Sequence, residues 1–312
     1  MLEEVNCDLC GANDTELVFE EQDRLHHLDG TFHLVRCRQC GLMYLTPRPT
    51  MEEMARYYPS DYHPYSTLDD HPSVLVRLDH RYGVSKRCRA VIARSDVKEG
   101  RVLDIGCSTG SFLNAMRQRG NWEPYGVEIN AEAANYARER LGLNVFAGTL
   151  TDAHYPDSFF DIITLWNVLE HLHQPRATLI EIARIIRPGG LLTISLPNPD
   201  CIEASFFERY WAGLDAPRHL YIFSRRTLEK MLALTGFEVE EITSFTGRHH
   251  VLALSLGFWL DEKVGSDRRR YWLKRAMGSL PLRLLTLPYY AIADRWNQSS
   301  VMTVFAQCRQ KL

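Results

Sequence analysis

Long hydrophobic runs are missing from this 312-residue chain. Nowhere do roughly 18 apolar residues follow one another, which excludes a membrane-spanning helix by the usual length rule. The opening residues MLEEVNCDLC lack the basic and then apolar pattern of a secretory leader, so a cytoplasmic protein is expected. Charge of one sign is scarce too, with 36 basic residues against 39 acidic ones and a net charge of −3. A body built to grip nucleic acid normally carries a basic footprint, so no nucleic-acid partner is expected. Low-complexity tracts are absent. What is there, 45% hydrophobic and 24% charged residues, is ordinary for a globular chain and excludes a disordered or collagen-like one. The eight cysteines, in a chain without an export pattern, predict reduced thiols and metal ligands rather than disulfides.

Four of those cysteines form two copies of one pattern, C-x-x-C-G, at Cys7, Cys10 and Gly11 and at Cys37, Cys40 and Gly41. Two thiolates three residues apart in a tight turn can hold one side of a tetrahedral ion, and the glycine lets the backbone curl beneath it. Four such thiolates close a structural Zn²⁺ site with no open position. Strands are expected between the pairs at 15–20 and 31–36. His26, His27 and His33 are alternative ligands, but read more simply as surface histidines.

Thr46-Pro47-Arg48-Pro49 is a proline-rich linker, and Tyr57, Tyr58, Tyr62 and Tyr65 follow in a stretch broken by Pro59 and Pro64. Proline at that density forbids a long helix. Such an aromatic loop either straps the core or closes a pocket. Beyond a helix at 73–94, strands and helices alternate: strands at 101–105, 124–128, 144–147, 160–164 and 191–196, helices at 110–119, 131–141 and 175–186. Alternation of this kind predicts crossover units and a parallel sheet covered on both faces. A helix at 225–234, capped by Ser224 and closed by Gly236, and strands at 237–245 and 300–308 complete the expected core.

The segment Val102-Leu103-Asp104-Ile105-Gly106-Cys107-Ser108-Thr109-Gly110 sends an apolar strand into a turn with two glycines. Those glycines let backbone approach a ligand, and the following helix offers its N-terminal amides. The G-x-G-x-x-G fingerprint that would suit a pyrophosphate is absent. The segment resembles motif I, D-x-G-x-x-x-G, of class I S-adenosylmethionine-dependent methyltransferases. The resemblance continues in order. Tyr125-Gly126-Val127-Glu128-Ile129 matches the second strand, which implies that Glu128 holds the ribose and Ile129 touches the adenine. Gly148-Thr149-Leu150 falls where the third strand presents the adenine edge, although the usual acidic or amide partner is missing, so backbone atoms of Thr149 or Leu150 would serve. Phe160-Asp161-Ile162-Ile163-Thr164-Leu165-Trp166-Asn167-Val168-Leu169-Glu170-His171-Leu172 resembles the family's segment after the fourth strand, where Trp166 and Asn167 would line the methionine part. The implied cofactor set is therefore Asp104, Gly106, Cys107, Gly110, Glu128, Ile129, Thr149, Leu150, Trp166 and Asn167. The Asn/Asp-Pro-Pro-Tyr/Phe signature of base methylases is absent from this strand end.

Asp215-Ala216-Pro217-Arg218-His219-Leu220-Tyr221-Ile222-Phe223-Ser224 resembles a stretch of a bacterial methyltransferase subgroup that carries a zinc-knuckle domain in front. That subgroup includes deoxysugar C-methyltransferases and members of saccharide and natural-product pathways. His219 is the candidate general base, since a free histidine accepts a proton near neutral pH. Its other reading is a histidine that packs on Tyr221 or caps the next helix. His171 and Tyr62 are the alternative candidates for the catalytic role.

Residues 261–312 carry a charge of +6, leaving −9 on the remainder, and include the run Arg268-Arg269-Arg270 between apolar stretches. Such an appendage lies on a membrane surface, covers a pocket for an anionic or lipid-linked acceptor, or is a helical cap with a solvated charged edge. The expected organisation is an α/β protein: a zinc ribbon and aromatic linker over 1–66, a Rossmann-like seven-stranded methyltransferase core over 67–245, and a helical insertion with the last strand over 246–312. The implied activity is methyl transfer from S-adenosylmethionine to a small-molecule or glycan-type acceptor, on oxygen or carbon. The rivals are an RNA methyltransferase that uses the ribbon to hold its substrate, and a binding protein that keeps the cofactor fold without turnover.

Overall fold

The structure, a computed structural model, describes residues 1–58, 74–244, 248–264 and 280–309. Tyr62, Tyr65 and the Arg268–Arg270 run lie outside the described residues.

The N-terminal part is built from short antiparallel strands. β1 (Leu2–Glu3) pairs with β5 (Arg48–Pro49), while β2 (Thr15–Glu21), β3 (Phe32–Cys37) and β4 (Met43–Leu45) form a sheet in sequential order. Phe32, Leu34, Val35 and Cys37 of β3 are buried and Arg36 is exposed, so the strand is covered on most of its length. A short helix, α1 (Met51–Met54), follows. Its N-cap Thr50 accepts from Glu53 N.

The long helix α2 (Val74–Arg94) leads into the core. The core runs β6 (Gly100–Ile105), α3 (Ser111–Arg117), β7 (Trp122–Glu128), α4 (Ala131–Leu141), β8 (Asn144–Ala147), β9 (Phe160–Trp166), α5 (Pro175–Ile185) and β10 (Ile186–Pro197). Then come α6 (Ile202–Phe207), β11 (Tyr221–Ile222), α7 (Arg225–Leu234), β12 (Phe237–Thr243), α8 (Arg248–Lys263), α9 (Leu280–Arg295) and β13 (Val301–Cys308). Seven strands make one sheet in the order β12-β13-β10-β9-β6-β7-β8, parallel from β10 to β8, with β13 antiparallel to both neighbours.

The inner strands read as nearly continuous apolar runs because both faces are covered. Val102 and Ile162 sit side by side and face α2, α3 and α4, through Val84, Cys88, Val91, Phe112 and Ala137. The next residues, Leu103 and Ile163, face the other way, toward Leu179 and Ile182 of α5 and Leu228 and Met231 of α7. Asn130 caps α4 by accepting from Ala133 N at 2.9 Å, and Gly142 ends it in the left-handed region. Ser224 caps α7 as the sequence predicts, accepting from Thr227 N. The expected insertion between the last two strands is helical where it is described, as α8 and α9.

Tyr221 and Ile222 leave the core to pair antiparallel with Tyr44 and Met43 of β4. They make β11 the fourth strand of the N-terminal sheet, whose order is β11-β4-β3-β2. Phe32, Leu45, Leu220 and Phe223 are buried in one cluster with Leu179 and Leu228, so this sheet shares the core's apolar interior.

Candidate functional site

The parallel strands deliver their C-terminal ends to one cleft. At the end of β6 the turn needs left-handed backbone: Gly106 has φ +69°, and a Cβ there would lie 2.5 Å from Val168 Cγ2. Gly110, φ +77°, is the N-cap of α3 and backs onto Leu143 and Ala137. It is the one member of the expected cofactor set that packs inward instead of lining the cleft. The other nine, Asp104, Gly106, Cys107, Glu128, Ile129, Thr149, Leu150, Trp166 and Asn167, all line it.

Asp104 is buried and accepts a 2.6 Å hydrogen bond from Thr164 Oγ1. Burial pushes its carboxyl up to about 7. The Thr164 hydrogen bond and the Arg87 charge oppose that rise, and Glu128 adds to it. Glu128, buried at the end of β7, accepts from Ser108 N through Oε2 and from Asn130 N through Oε1, each at 2.8 Å. Burial raises its pKa against these backbone hydrogen bonds. Each oxygen keeps further lone-pair capacity, so the carboxylate can hold the motif I turn and still accept two hydroxyls. Ile129 is 63% exposed at the cleft, an apolar surface available to a flat ring. Thr149 Oγ1 donates to Asp152 at 2.6 Å, so an acidic residue stands close to the expected adenine edge after all, two positions past the expected pair. Trp166 packs edge-on to Phe112 with centroids 5.5 Å apart, and the Arg87 guanidinium lies 5.0 Å from the Trp166 ring centroid. Asn167 takes φ +56° and donates its N–H to Ser195 O at 2.8 Å, which fixes the turn after β9.

His171 and His219 come together on the same cleft, with ring centroids 4.6 Å apart. His219 Nδ1 donates to Gly213 O at 2.8 Å. His171 Nδ1 lies 3.0 Å from Arg218 O, and Tyr58 Oη lies 3.0 Å from that same nitrogen. A carbonyl only accepts, so each ring carries its proton on Nδ1 and keeps the Nε2 lone pair. Burial holds both rings neutral: His171 is pushed down to about 3, with His219 adding to the effect, and His219 is lowered against the pull of Asp215. Glu170, fully buried, stands beside them with no hydrogen bond to either carboxylate oxygen among the described residues, and burial pushes it up to about 8, with Asp215 adding. Of the tyrosines expected to close the cleft, Tyr58 lines it. Tyr57 instead packs edge-on against Phe32 and donates to Asp29 O, so it belongs to the N-terminal core.

The Asp215–His219 stretch is held by a buried ion triad. Arg218 has no exposed surface. It donates to Asp23 at 2.7 and 3.1 Å and to Asp215 at 2.7 and 3.0 Å. Burial raises the Asp23 and Asp215 carboxyls, but the Arg218 hydrogen bonds and charge outweigh it and hold both below the usual range. Asp215 and Arg218 were quoted in the sequence motif without a role. Asp23 carries no local signal at all.

Cys7, Cys10, Cys37 and Cys40 bring their sulfurs within 4.8 Å of one another, with 3.4 Å between Cys7 and Cys40 and 3.5 Å between Cys10 and Cys37. Four thiolates at about 2.3 Å from a tetrahedral Zn²⁺ stand about 3.8 Å apart, so the donor set suits that ion. The two knuckles fold alike: Gly11 N donates to Cys7 O and Gly41 N to Cys37 O, and the glycines take φ +77° and +85°.

Comparison with known proteins places residues 79–242 in a family described as a methyltransferase domain. A fatty-acid O-methyltransferase of Mycolicibacterium smegmatis is 31% identical over 202 residues, 62% of this chain and 69% of that protein. A ubiquinone biosynthesis O-methyltransferase of Azoarcus is 35% identical over 105 residues, 31% of this chain and 44% of that protein. Apart from the first, the chain spans about half the length of the first curated relatives it matches. Among solved structures, a chain of the complex of the Haloferax volcanii Trm112 methyltransferase activator aligns with a TM-score of 0.50 at 18% identity, covering 74% of this chain and 92% of its own. The [4+2]-cyclase SpnF aligns with the same score and identity, covering 73% and 81%. These likenesses speak for the fold alone. With the family match spanning over half of the chain and the motif residues gathered at the strand ends, this chain belongs to the S-adenosylmethionine-dependent methyltransferases of the class I, Rossmann-like fold.

Proposed function

We propose that the protein transfers the methyl group of S-adenosylmethionine to an oxygen atom of a small, partly apolar acceptor. One observation carries this: the cleft that holds the motif I turn and Glu128 also holds the neutral His171–His219 pair beside Glu170, while Leu254, Phe258 and Tyr290 of the insertion supply apolar wall. Neutral imidazoles can align an acceptor hydroxyl and take its proton, and the apolar residues suit a hydrocarbon portion. The named relatives act on a fatty acid and in ubiquinone biosynthesis, acceptors of that kind. His219 is the base in this proposal. Asp104, Glu128, Ile129, Thr149, Leu150, Trp166 and Asn167 receive the cofactor. A structural Zn²⁺ on Cys7, Cys10, Cys37 and Cys40 braces the module over 1–66 against the core over 67–245, and the part over 246–312 caps the cleft.

Leu287, Ile292 and Trp296, in and just after α9, are 56%, 53% and 68% exposed. Together with the basic balance of the last fifty or so residues, they support contact with an anionic lipid surface, from which such an acceptor would enter. None of the described helices is long and apolar enough to cross a membrane.

The test is incubation with methyl-labelled S-adenosylmethionine and a panel of a fatty acid, a prenylated phenol and a sugar nucleotide, read by mass spectrometry. Label on an oxygen of one of the first two is expected. Label on a sugar carbon, or cofactor binding with no transfer to either apolar acceptor, contradicts the proposal. Sedimentation with anionic vesicles tests the surface contact, and Trp296→Ala should weaken it.

A further inference from the structure

Glu170 is the observation that methyl transfer by alignment leaves unexplained. Its side chain has no exposed surface, and neither oxygen finds a hydrogen-bond donor among the described residues. A carboxylate removed from water costs free energy unless it is paired, hydrogen-bonded or bound to a metal. No ion pair reaches Glu170 among the described residues, and the Arg218 guanidinium is spent on Asp23 and Asp215. What does stand beside Glu170 is the pair of histidines: one ligand-type atom from each of Glu170, His171 and His219 lies within 4.8 Å of the others.

We propose that Glu170, His171 and His219 form a second metal site, which binds a divalent first-row cation of the Mn²⁺ to Zn²⁺ series and keeps coordination positions open to the cleft. Both rings are prepared for it. His219 donates from Nδ1 to Gly213 O, and His171 does so to Arg218 O. Metal-binding histidines almost always anchor their other ring nitrogen in this way, which fixes the tautomer and aims the lone pair. Two imidazoles and one carboxylate are a borderline donor set. It suits Mn²⁺, Fe²⁺, Co²⁺ or Zn²⁺ and is poor for Mg²⁺ or Ca²⁺, which take oxygen ligands. Three protein ligands leave room for water or substrate, as in reactive sites, whereas the four-cysteine set closes its ion off. Arg218, whose carbonyl anchors His171, is a member of the buried triad, and Gly213, whose carbonyl anchors His219, lies two residues before its member Asp215.

The site's role rests on the methyl-transfer proposal, though its existence does not. A hydroxyl oxygen of the acceptor would occupy an open position and become more acidic there. With its Nε2 lone pair on the metal, His219 would act as a ligand and give up the base role it has in the metal-free cleft, so the acceptor's proton leaves to water in the cleft. The oxygen lone pair then bonds to the methyl carbon as the carbon–sulfur bond breaks, and that electron pair stays on sulfur. The sulfonium charge and the oxygen charge cancel, giving a neutral thioether and a methylated acceptor.

The experiment titrates Co²⁺ into the full-length protein with its cysteine-bound metal in place and reads bound Co²⁺ by equilibrium dialysis and visible absorption. One Co²⁺ per chain is expected, with d–d bands and without the thiolate-to-metal charge-transfer band that the cysteines would give. Glu170→Gln and His219→Ala should each weaken that binding by more than about tenfold. Calorimetry with S-adenosylhomocysteine, run on the same samples, shows whether each variant is folded. Absence of the d–d spectrum in the wild type overturns the proposal by itself, whatever the variants do. So does equal affinity in wild type and both folded variants. Homocysteine-cofactor binding without Co²⁺ binding overturns only the metal site. Co²⁺ binding without cofactor binding supports the site and overturns the methyl-transfer reading.

Discussion

Arg218 and Asp23 stand 195 residues apart in the chain and meet in a bidentate pair of 2.7 and 3.1 Å with no exposed surface on either side chain. Asp23 belongs to the N-terminal sheet's side of the molecule, and Arg218 immediately precedes His219. The pair therefore couples the cysteine-bearing module to the wall of the cleft. Removing one member of a buried ion set leaves the others uncompensated, which is costly even where the intact set adds little.

Arg218→Met should accordingly destabilise the protein by roughly 3–5 kcal/mol, because Asp23 and Asp215 would face each other without a cation. Urea denaturation followed by circular dichroism measures it. A change under about 1 kcal/mol would mean that the triad contributes no more than an exposed ion pair.

The same pair sets an acid-side pH dependence. The Asp23 carboxyl is held below its ordinary value in the fold, so its contribution is complete above that ordinary value. It is lost as pH falls through the lower, folded value. Asp23→Asn should be less stable than wild type near neutral pH, and the gap should narrow in acid. Thermal melts across an acid pH series give the two curves, and parallel curves would refute the assignment.

Asp104 has the opposite sign. Its carboxyl is raised to about 7 chiefly by burial, so the fold prefers the protonated form and loses stability as pH rises from the ordinary carboxyl range toward 7. Asp104→Asn should therefore gain on the wild type by on the order of a few kcal/mol between pH 5 and pH 8 in the absence of cofactor. A constant difference over that range would show that Asp104 is ionised throughout.

Metal analysis should find zinc retained by the cysteine module, and Cys37→Ser should lose it together with much of the stability, since four ligands are required to close a structural site. Zinc content unchanged in that variant would reject the ligand set.

His219→Ala should lower turnover by about 10²–10⁴ with S-adenosylhomocysteine affinity nearly unchanged, if the ring serves the acceptor as proposed. Loss of both together would assign His219 a packing role instead.

Much of the core was legible because local signals and tertiary demands agree. Asn130 caps and Gly142 ends α4, so its limits at Ala131 and Leu141 follow from the sequence alone. Strand ends were less legible. β9 runs on to Trp166 and β10 to Pro197, since pairing with neighbours, not composition, decides where a strand stops. The residues that gather at the cleft were legible as an ordered series of motifs. Asp23 was not, because nothing near it in the chain announces a partner 195 residues away. Glu170 stood in the quoted family segment without a role of its own, and its significance rests on burial and missing donors, which spacing cannot reveal. The crossing of Tyr221 to Tyr44 escaped notice for the same reason: two-residue strands have no periodicity to read.

Methyl transfer depends first on the cleft at the strand ends binding the cofactor, and calorimetry with S-adenosylhomocysteine tests this directly. The wild type should bind one molecule per chain. Glu128→Ala should weaken binding by roughly 1.5–3 kcal/mol, through loss of the charged hydroxyl contacts and of the hydrogen bonds to Ser108 N and Asn130 N. No heat with the wild type, or equal affinity in the variant, would contradict the assignment of this cleft to S-adenosylmethionine.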